Sequence, residues 1–410
     1  MKAIVIVADG MADRPLKQLG GKTPLEAANK PALDEIARRG ECGIVDMISP
    51  GVPPGSDVAN MSILGYDPRK YYRGRGALEA LGIGLEVGRG EIAFRGNFAT
   101  VDEKGIIIDR RAGRIDGKIF EETLADIRLK SRPEVRVLAK PSVEHRIALV
   151  IGGSGLSWNV SDSDPLVSDV PPRKIEPLDG TSEAFRTAEI VNEILQILKE
   201  RLAISPINSE RLSKGLHPAN AVLLRSAGTP PDLRPIDDVY KVKGLCVAVN
   251  PVVRGICRSA GLDIPDVPGA TGGVDTDTLA KAKVVERNIE RYDFVYLHVK
   301  GTDSASHDGK TEDKIRMIEK VDAMARHLLD NVDMDETYIA VTADHTTSLR
   351  HLDHVGDPVP LAIAGPEVRT DSVQAYSERT CARGGLGRIR GLDIMPIIMN
   401  YLGKMNLYGS

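Results

Sequence analysis

The chain opens on a continuous apolar run, Ala3-Ile4-Val5-Ile6-Val7, followed at once by Asp9-Gly10. A β-branched run with no polar alternation predicts a parallel strand buried on both faces. The pattern returns late in the chain. Residues 294–299 predict a strand ending in Lys300-Gly301-Thr302-Asp303, and 337–342 a strand ending in Asp344-His345. Residues 359–364 form a third candidate, and 43–47 a short fourth. Between these runs, apolar positions at helical spacing predict helices over 31–39, 275–291 and 310–332. Pro31 sits in the first turn of its helix and Gly40 ends it, as their backbone preferences dictate. A turn-rich stretch, Pro50-Gly51-Val52-Pro53-Pro54-Gly55, leads into Ser56-Asp57, which opens another helix-like run. Strand–loop–helix alternation of this kind implies an α/β fold, a mainly parallel sheet with helices on both faces.

The middle of the chain follows a different pattern. Strands over 92–100 and 105–109 read as a hairpin, with a further strand over 147–151 and a helix over 183–201. Pro/Gly-rich loops follow around 165–177 and 229–235. This stretch reads as an inserted second domain over 73–235, with 1–72 and 236–410 forming the host. The length of 410 residues agrees, being long for a single core.

Composition narrows the class. Hydrophobic residues make up 42%, enough for a well-buried core, and 54 Lys and Arg against 58 Asp and Glu leave no strongly basic surface. That balance points away from nucleic acid and anionic membranes. No apolar run approaches the roughly 20 residues that span a bilayer. The apolar N-terminal run is too short for a signal peptide, and Cys42, Cys246, Cys257 and Cys381 show no CxxC spacing. Both features lead to the expectation of a cytoplasmic protein with reduced thiols.

Candidate chemistry gathers at the strand ends. Six of the eight histidines fall between His298 and His354. Asp303 and His307 stand four apart just after one strand, Asp344-His345 follow another, and His354 lies in a loop leading to 359–364. Asp9 ends the first strand. Open parallel sheets bind ligands at the carboxyl ends of their strands, so three strands deliver Asp9, Asp303 and Asp344 to one edge. Each residue alone has a plainer reading, as a helix cap, a surface pair or a core histidine; His298 reads as a core or supporting residue, and His351 stays open. Together, Asp and His ligands without thiolate suit Mn²⁺, Zn²⁺, Co²⁺ or Mg²⁺. There are enough ligands for two ions, the arrangement that clamps in-line phosphoryl transfer. Ser56, after Pro54-Gly55 at a helix start, lies where backbone N–H groups attract phosphate.

These residues resemble a family. Asp9-Gly10, Gly55-Ser56-Asp57-Val58-Ala59-Asn60, Asp303-Ser304-Ala305-Ser306-His307, Thr342-Ala343-Asp344-His345 and His354 with Val359-Pro360 are similar, in that order, to the motifs of the cofactor-independent phosphoglycerate mutases. The similarity is to the archaeal type, within the alkaline phosphatase superfamily. It extends to Asp109-Arg110-Arg111-Ala112-Gly113-Arg114 in the insert and to Gly384-Gly385-Leu386-Gly387-Arg388-Ile389-Arg390-Gly391 near the end.

The resemblance implies an alkaline-phosphatase-like host domain and an α/β cap domain made by the insert. It implies one metal on Asp303, His307 and His354, and another on Asp9, Ser56, Asp344 and His345. Ser56 would be the nucleophile, manganese the first choice of metal, and no 2,3-bisphosphoglycerate would be needed. The substrate would be 3-phosphoglycerate or 2-phosphoglycerate, with no nucleic acid or membrane partner; a homo-oligomer is left open. A substrate carrying both a phosphate and a carboxylate needs arginines and other polar hands. Asp57, Arg110, Arg111, Arg114, His145, Lys243 and Lys300 are the candidates, with Arg73, Arg75 and Arg146 behind them. Many bacterial members carry Glu and His where this chain has Asp57 and Asn60. A phosphatase or phosphonate hydrolase on the same scaffold, and a metal-dependent binding protein without turnover, are the rival readings.

Overall fold

The computed structural model describes residues 1–407 and residue 409. The strands are β1 (Lys2–Ala8), β2 (Gly40–Asp46), β3 (Ile92–Val101), β4 (Ile107–Asp109), β5 (Arg136–Pro141), β6 (Arg146–Gly152) and β7 (Ala221–Gly228). They continue with β8 (Gly244–Val247), β9 (Phe294–Val299), β10 (Thr337–Thr342), β11 (Thr346–Ser348), β12 (Asp353–Val355), β13 (Val359–Ala364) and β14 (Gly387–Arg390). The chain divides into two compact units, Met1–Tyr72 with Asp232–Ser410, and Arg73–Pro231. The return junction falls at 231/232, ahead of the 235/236 expected from the sequence, in the loop before the helix Ile236–Tyr240.

The first unit is built on a seven-stranded sheet in the order β14-β2-β13-β10-β1-β9-β8. β1 lies between β10 and β9, parallel to both, with Val7 in register with Thr342 on one side and His298 on the other. β8 continues the parallel run. β13 alone turns round: it is antiparallel to both β10 and β2. The strand over 359–364 was legible; its direction was not, because a run buried on both faces looks the same either way. Ile4, Ile6 and Val7 are fully buried, each contributing roughly 1.5–3 kcal/mol by leaving water. A slipped register would forfeit that burial.

The helices bury one stripe each. Pro31–Arg38 turns Ala32, Leu33, Ile36 and Ala37 inward, and Thr311–Asn331 turns Met317, Ile318, Val321, Met324, Ala325 and Leu328 inward. The helix expected from 275 begins at Thr278, because the Asp277 side chain accepts from Ala280 N–H and caps it there.

The second unit holds an antiparallel sheet. β3 pairs with β4, β6 and β7, and β5 with β6. The helix Ser182–Ala203 buries Ala184, Ala188, Val191, Ile194, Leu198 and Leu202, in a core that includes Phe94, Phe98 and Phe120. β5 and β7 had no clear signal. β5 is half-exposed along its length, and Arg225-Ser226 interrupts the apolar run of β7.

Candidate metal centre

Three adjacent parallel strands, β10, β1 and β9, end at one edge of the sheet. Asp9 follows β1; the helix Gly301–His307 follows β9 and carries Asp303 and His307 one turn apart; Asp344 and His345 follow β10. The hairpin of β11 and β12 sets His354 opposite Thr347. Ser56 is the first residue of the helix Ser56–Ile63.

The chain is pinned tightly around these groups. Gly10 has φ +63°, and a Cβ there would fall 2.3 Å from Thr347 Oγ and 2.9 Å from Asp303 Cβ, so only glycine fits. Its N–H donates to Asp344 Oδ1 at 3.1 Å. Asn60 Nδ2 donates to Asp344 Oδ2 at 2.9 Å and to the Ser56 carbonyl at 2.7 Å. Tyr296 donates its hydroxyl to Asn60 Oδ1 at 2.5 Å, which fixes the amide's orientation. Behind the site, fully buried Lys314 reaches the Ala12 carbonyl at 3.1 Å, Asp13 Oδ2 at 2.9 Å and the Thr347 carbonyl at 2.8 Å.

Two groups of donor atoms converge here. In the first, His307 Nε2 and His354 Nε2 lie 3.3 Å and 3.4 Å from Asp303 Oδ1 and 3.3 Å from each other. Each ring's Nδ1 lies 2.8 Å from a carbonyl, that of Leu352 or of Pro54. A carbonyl only accepts, so each Nδ1 carries a proton, and a neutral ring so held keeps its lone pair on Nε2. Two lone pairs and a carboxylate oxygen aimed at one another call for a cation. In the second, Asp9, His298 and Asp344 place donor atoms within 4.8 Å of one another, all buried. His298 Nε2 stands 3.2 Å from Asp9 Oδ2; the ring makes no hydrogen bond at either nitrogen, and the Lys300 ammonium, 3.1 Å away, is the charged neighbour of that oxygen. His345 sits between the groups. Its Nε2 is 3.3 Å from Asp9 Oδ1, 3.5 Å from Asp344 Oδ2 and 3.1 Å from Ser56 Oγ, and its ring stacks on His354 with centroids 3.6 Å apart.

The electrostatics agree with this placing. Burial pushes the Asp9 carboxyl up, but Lys300 and the two histidines beside it outweigh burial and hold it well below the usual range. Asp303 behaves alike: burial is overcome first by Lys300, then by His307 and His354. Asp344 is pushed up by burial and by Asp9. His345 is opposed by burial but raised to about 9 by Asp344 and Asp9. Three buried carboxylates therefore face one lysine and a set of imidazoles, an excess of negative charge that divalent cations would neutralise. The residues present fit such ions.

The other sequence candidates are placed differently. Lys300 Nζ is held between Asp303 Oδ2 at 2.5 Å and Asp9 Oδ2 at 3.1 Å. Asp57 accepts from the Tyr72 hydroxyl at 2.7 Å. His351 faces Arg14, at 3.3 Å, outside the ligand groups. Lys243 precedes β8, which runs parallel to β9, so it stands at the amino edge of the sheet, opposite the cluster, with its Nζ over the Tyr292 ring.

In the second unit Arg110 is paired with Asp164 through both carboxylate oxygens, at 2.9 and 2.8 Å. Arg111 and Arg114 are exposed. His145 is buried and pushed down to about 4, by burial first and then by Arg146, Arg111 and Arg114. Sequence reading passed over Arg95 and Arg225, which lie in register on β3 and β7. Burial lowers Arg95 to about 9, Glu79 opposes the shift, and Arg75, Arg225 and Arg146 add to it. Their signal was a charged residue in the middle of an apolar strand. For His298 it was the same: a polar ring in a strand buried on every residue.

Comparison with known proteins places the chain. The sequence profile described as 2,3-bisphosphoglycerate-independent phosphoglycerate mutase matches residues 37–208. The protein of that name from Methanothermobacter thermautotrophicus is 46% identical over 413 residues, covering 100% of each chain. That of Thermococcus kodakarensis is 44% identical over 410 residues, covering 100% of this chain and 99% of its own. Among solved structures, a Pyrococcus horikoshii protein superposes with a TM-score of 0.86 at 38% identity, over 100% of this chain and 99% of that one. The cofactor-independent phosphoglycerate mutase of Thermoplasma acidophilum superposes with a TM-score of 0.71 at 37% identity, over 98% and 100%. With identity at this level running end to end, the chain belongs to the 2,3-bisphosphoglycerate-independent phosphoglycerate mutases, a family of isomerases.

Proposed function

We propose that this protein interconverts 3-phosphoglycerate and 2-phosphoglycerate without a bisphosphoglycerate cofactor, through a phosphoserine on Ser56. The observation that carries the reading is the position of Ser56 Oγ. It begins a helix, where N–H groups favour a phosphate, and lies 3.1 Å from His345 Nε2 inside the acid–histidine cluster. Asp303, His307 and His354 would hold one divalent ion; Asp9, Ser56, Asp344 and His345 would hold the other, with His298 against Asp9. Bound there, the ions would supply Lewis-acid charge and lower the pKa of the serine hydroxyl.

The chain's own residues do the rest. Ser56 Oγ attacks phosphorus as its bond to the 3-oxygen of glycerate breaks, and the proton given up by the serine goes to that oxygen, which leaves as a hydroxyl. Glycerate reorients, its 2-hydroxyl attacks the phosphoserine, and the serine hydroxyl is restored. Asn60 and Gly10 hold Asp344 still while this happens. Arginines of the insert take the anionic groups of the substrate, Arg111, Arg114 and Arg146 around His145, and Arg95 with Arg225. Manganese is our first choice among Mn²⁺, Co²⁺, Zn²⁺ and Mg²⁺, because a carboxylate-rich donor set with imidazole suits it. We assign the protein to the cytoplasm; among the described residues no helix is long and apolar enough to cross a membrane, and all four cysteines are free and buried.

The test is an assay with 3-phosphoglycerate that follows 2-phosphoglycerate and free phosphate together, after chelation and after adding Mn²⁺ back. Isomerisation restored by metal supports the reading. Release of phosphate in place of 2-phosphoglycerate would make the protein a hydrolase, and full activity after verified metal removal would sink the metal assignment.

A further inference from the structure

Thr347 lies on β11, fully buried, and its side chain touches both donor groups. Its Oγ is 2.9 Å from His345 Nδ1 and 2.8 Å from Asp303 Oδ1. Several elements fix its place. Its N–H donates to the Ala12 carbonyl at 3.2 Å, its own carbonyl accepts from Lys314, and Gly10 closes over the hydroxyl where any Cβ would collide.

The direction of this chain of hydrogen bonds follows from chemistry. Asp303 also faces the Lys300 ammonium, 2.5 Å from its Oδ2; beside that charge it is a carboxylate and only accepts. A threonine hydroxyl has one hydrogen. That hydrogen goes to Asp303 Oδ1, so the oxygen's lone pair must accept from His345 Nδ1–H. Once an ion takes the place of the ring's second proton, the remaining proton is thereby kept on Nδ1, and the lone pair is left on Nε2, the atom that faces Ser56 and Asp9.

We propose that Thr347 is a positioning residue: it sets the tautomer of His345 and ties that ring to Asp303, so that the two donor groups are held as one unit. Valine at this position would keep the shape and lose both hydrogen bonds; serine would keep the hydroxyl. The residue does not touch the reacting atoms. Its role is to make a good ligand of an imidazole that would otherwise be free to carry its proton on either nitrogen.

The inference rests on reading the cluster as a metal site, and the experiment separates the two. Parent, Thr347→Val and Thr347→Ser would be titrated with Zn²⁺ alone against a chromophoric chelator. Nitrogen-15 spectra of histidine-labelled, Zn²⁺-loaded protein would be recorded in parallel, with the His345 ring assigned by its loss in His345→Gln. The parent should show the His345 proton on Nδ1 and none on Nε2. Thr347→Val should bind Zn²⁺ roughly 10–100-fold more weakly, as loss of a group that orients a ligand does, and Thr347→Ser should recover most of that loss. A proton on Nε2 of the parent overturns the inference, as does Zn²⁺ affinity unchanged in Thr347→Val or equally poor in Thr347→Ser. If Thr347→Val fails to fold, the parent spectrum and the serine variant still decide. A parent that carries the Nδ1 proton but does not isomerise phosphoglycerate refutes the proposed function alone; one that isomerises with the proton on Nε2 refutes this inference alone.

Discussion

The two units concentrate opposite charges by opposite means. In the first, acids gather where three parallel strands stop: Asp9, Asp303 and Asp344 all follow strand ends, and the sheet's common direction brings them together. In the second, bases gather where antiparallel strands lie side by side: Arg95 and Arg225 are partners in the middle of β3 and β7. A parallel sheet makes an edge into a site, because every strand contributes its last turn there. An antiparallel sheet makes a face into a site, because side chains directly across from each other share one side. The acidic cluster is thus written in short motifs after apolar runs, and the basic residues are written singly and far apart in sequence.

The sharpest way to break the comparison is to remove the serine from the acidic site. Ser56→Ala should lower turnover by about 10⁴-fold or more while the circular dichroism spectrum and the ion on Asp303, His307 and His354 stay as in the parent. Quenching the parent on labelled 3-phosphoglycerate should put the label on Ser56 by mass spectrometry. Label on Ser62 or on a histidine would move the nucleophile elsewhere.

Next in size is the loss of a ligand. Asp303→Ala should abolish one equivalent of bound metal and weaken binding by at least about 10²-fold, beyond what residues that merely orient a ligand cost. Elemental analysis after dialysis reads this directly. Two equivalents retained would exclude Asp303 as a ligand.

Removing a base from the second unit should act on substrate and leave metal untouched. Arg111→Ala, Arg114→Ala and Arg225→Met should each reduce kcat/KM by about 1–3 kcal/mol, the worth of a charge-assisted hydrogen bond. Arg110→Ala should destabilise the fold as well, since it takes away the two-bond partner of buried Asp164 and leaves it only Arg225, 3.7 Å away, as a counter-charge. Unchanged kinetics in the first three would make that surface a solvated one.

Lys300 bears on the acidic site in its metal-free state. Lys300→Met leaves Asp9 and Asp303 without their ammonium, which should lower stability by about 2 kcal/mol, below the usual cost of breaking a fully buried pair because the lysine keeps some exposure. Added Zn²⁺ should raise Tm more in the variant than in the parent. An equal rise in both would show that the lysine and the metal do not share the same charge balance.

The smallest effect concerns pH. His145 is pushed down to about 4 from 6.5, so the folded state favours the neutral ring. The stability this contributes is full above pH 6.5 and is lost as the pH falls toward 4, by about 1–2 kcal/mol once solvent screening is allowed for. Tm of the parent should therefore drop over that window more than Tm of His145→Gln.

How much could be read from the sequence follows from the same contrast. β1, β9 and β10, the helices between them and the residues at their ends were legible because burial on both faces leaves long apolar runs and chemistry begins where they stop. The direction of β13 was not, since direction leaves no trace in composition. Thr347 and Asn60 were invisible as partners of His345 and Asp344: a buried threonine or asparagine looks the same in sequence whether it holds a ligand or a turn. Lys243 looked like a substrate lysine by type, and only the parallel pairing of β8 with β9 shows which edge it occupies.

Lys314 is the residue through which the long helix Thr311–Asn331 grips the segments on either side of the cluster, reaching Ala12 and Asp13 with one set of bonds and Thr347 with another. Loops that carry functional groups usually open on their own, with exchange rates far faster than the core. Here the amides near Ala12 and Thr347 cannot be released without unbuttoning an ammonium from the interior of the molecule. Their hydrogen exchange should rise and fall with that of the helix, so that the site is lost together with the helix and not ahead of it.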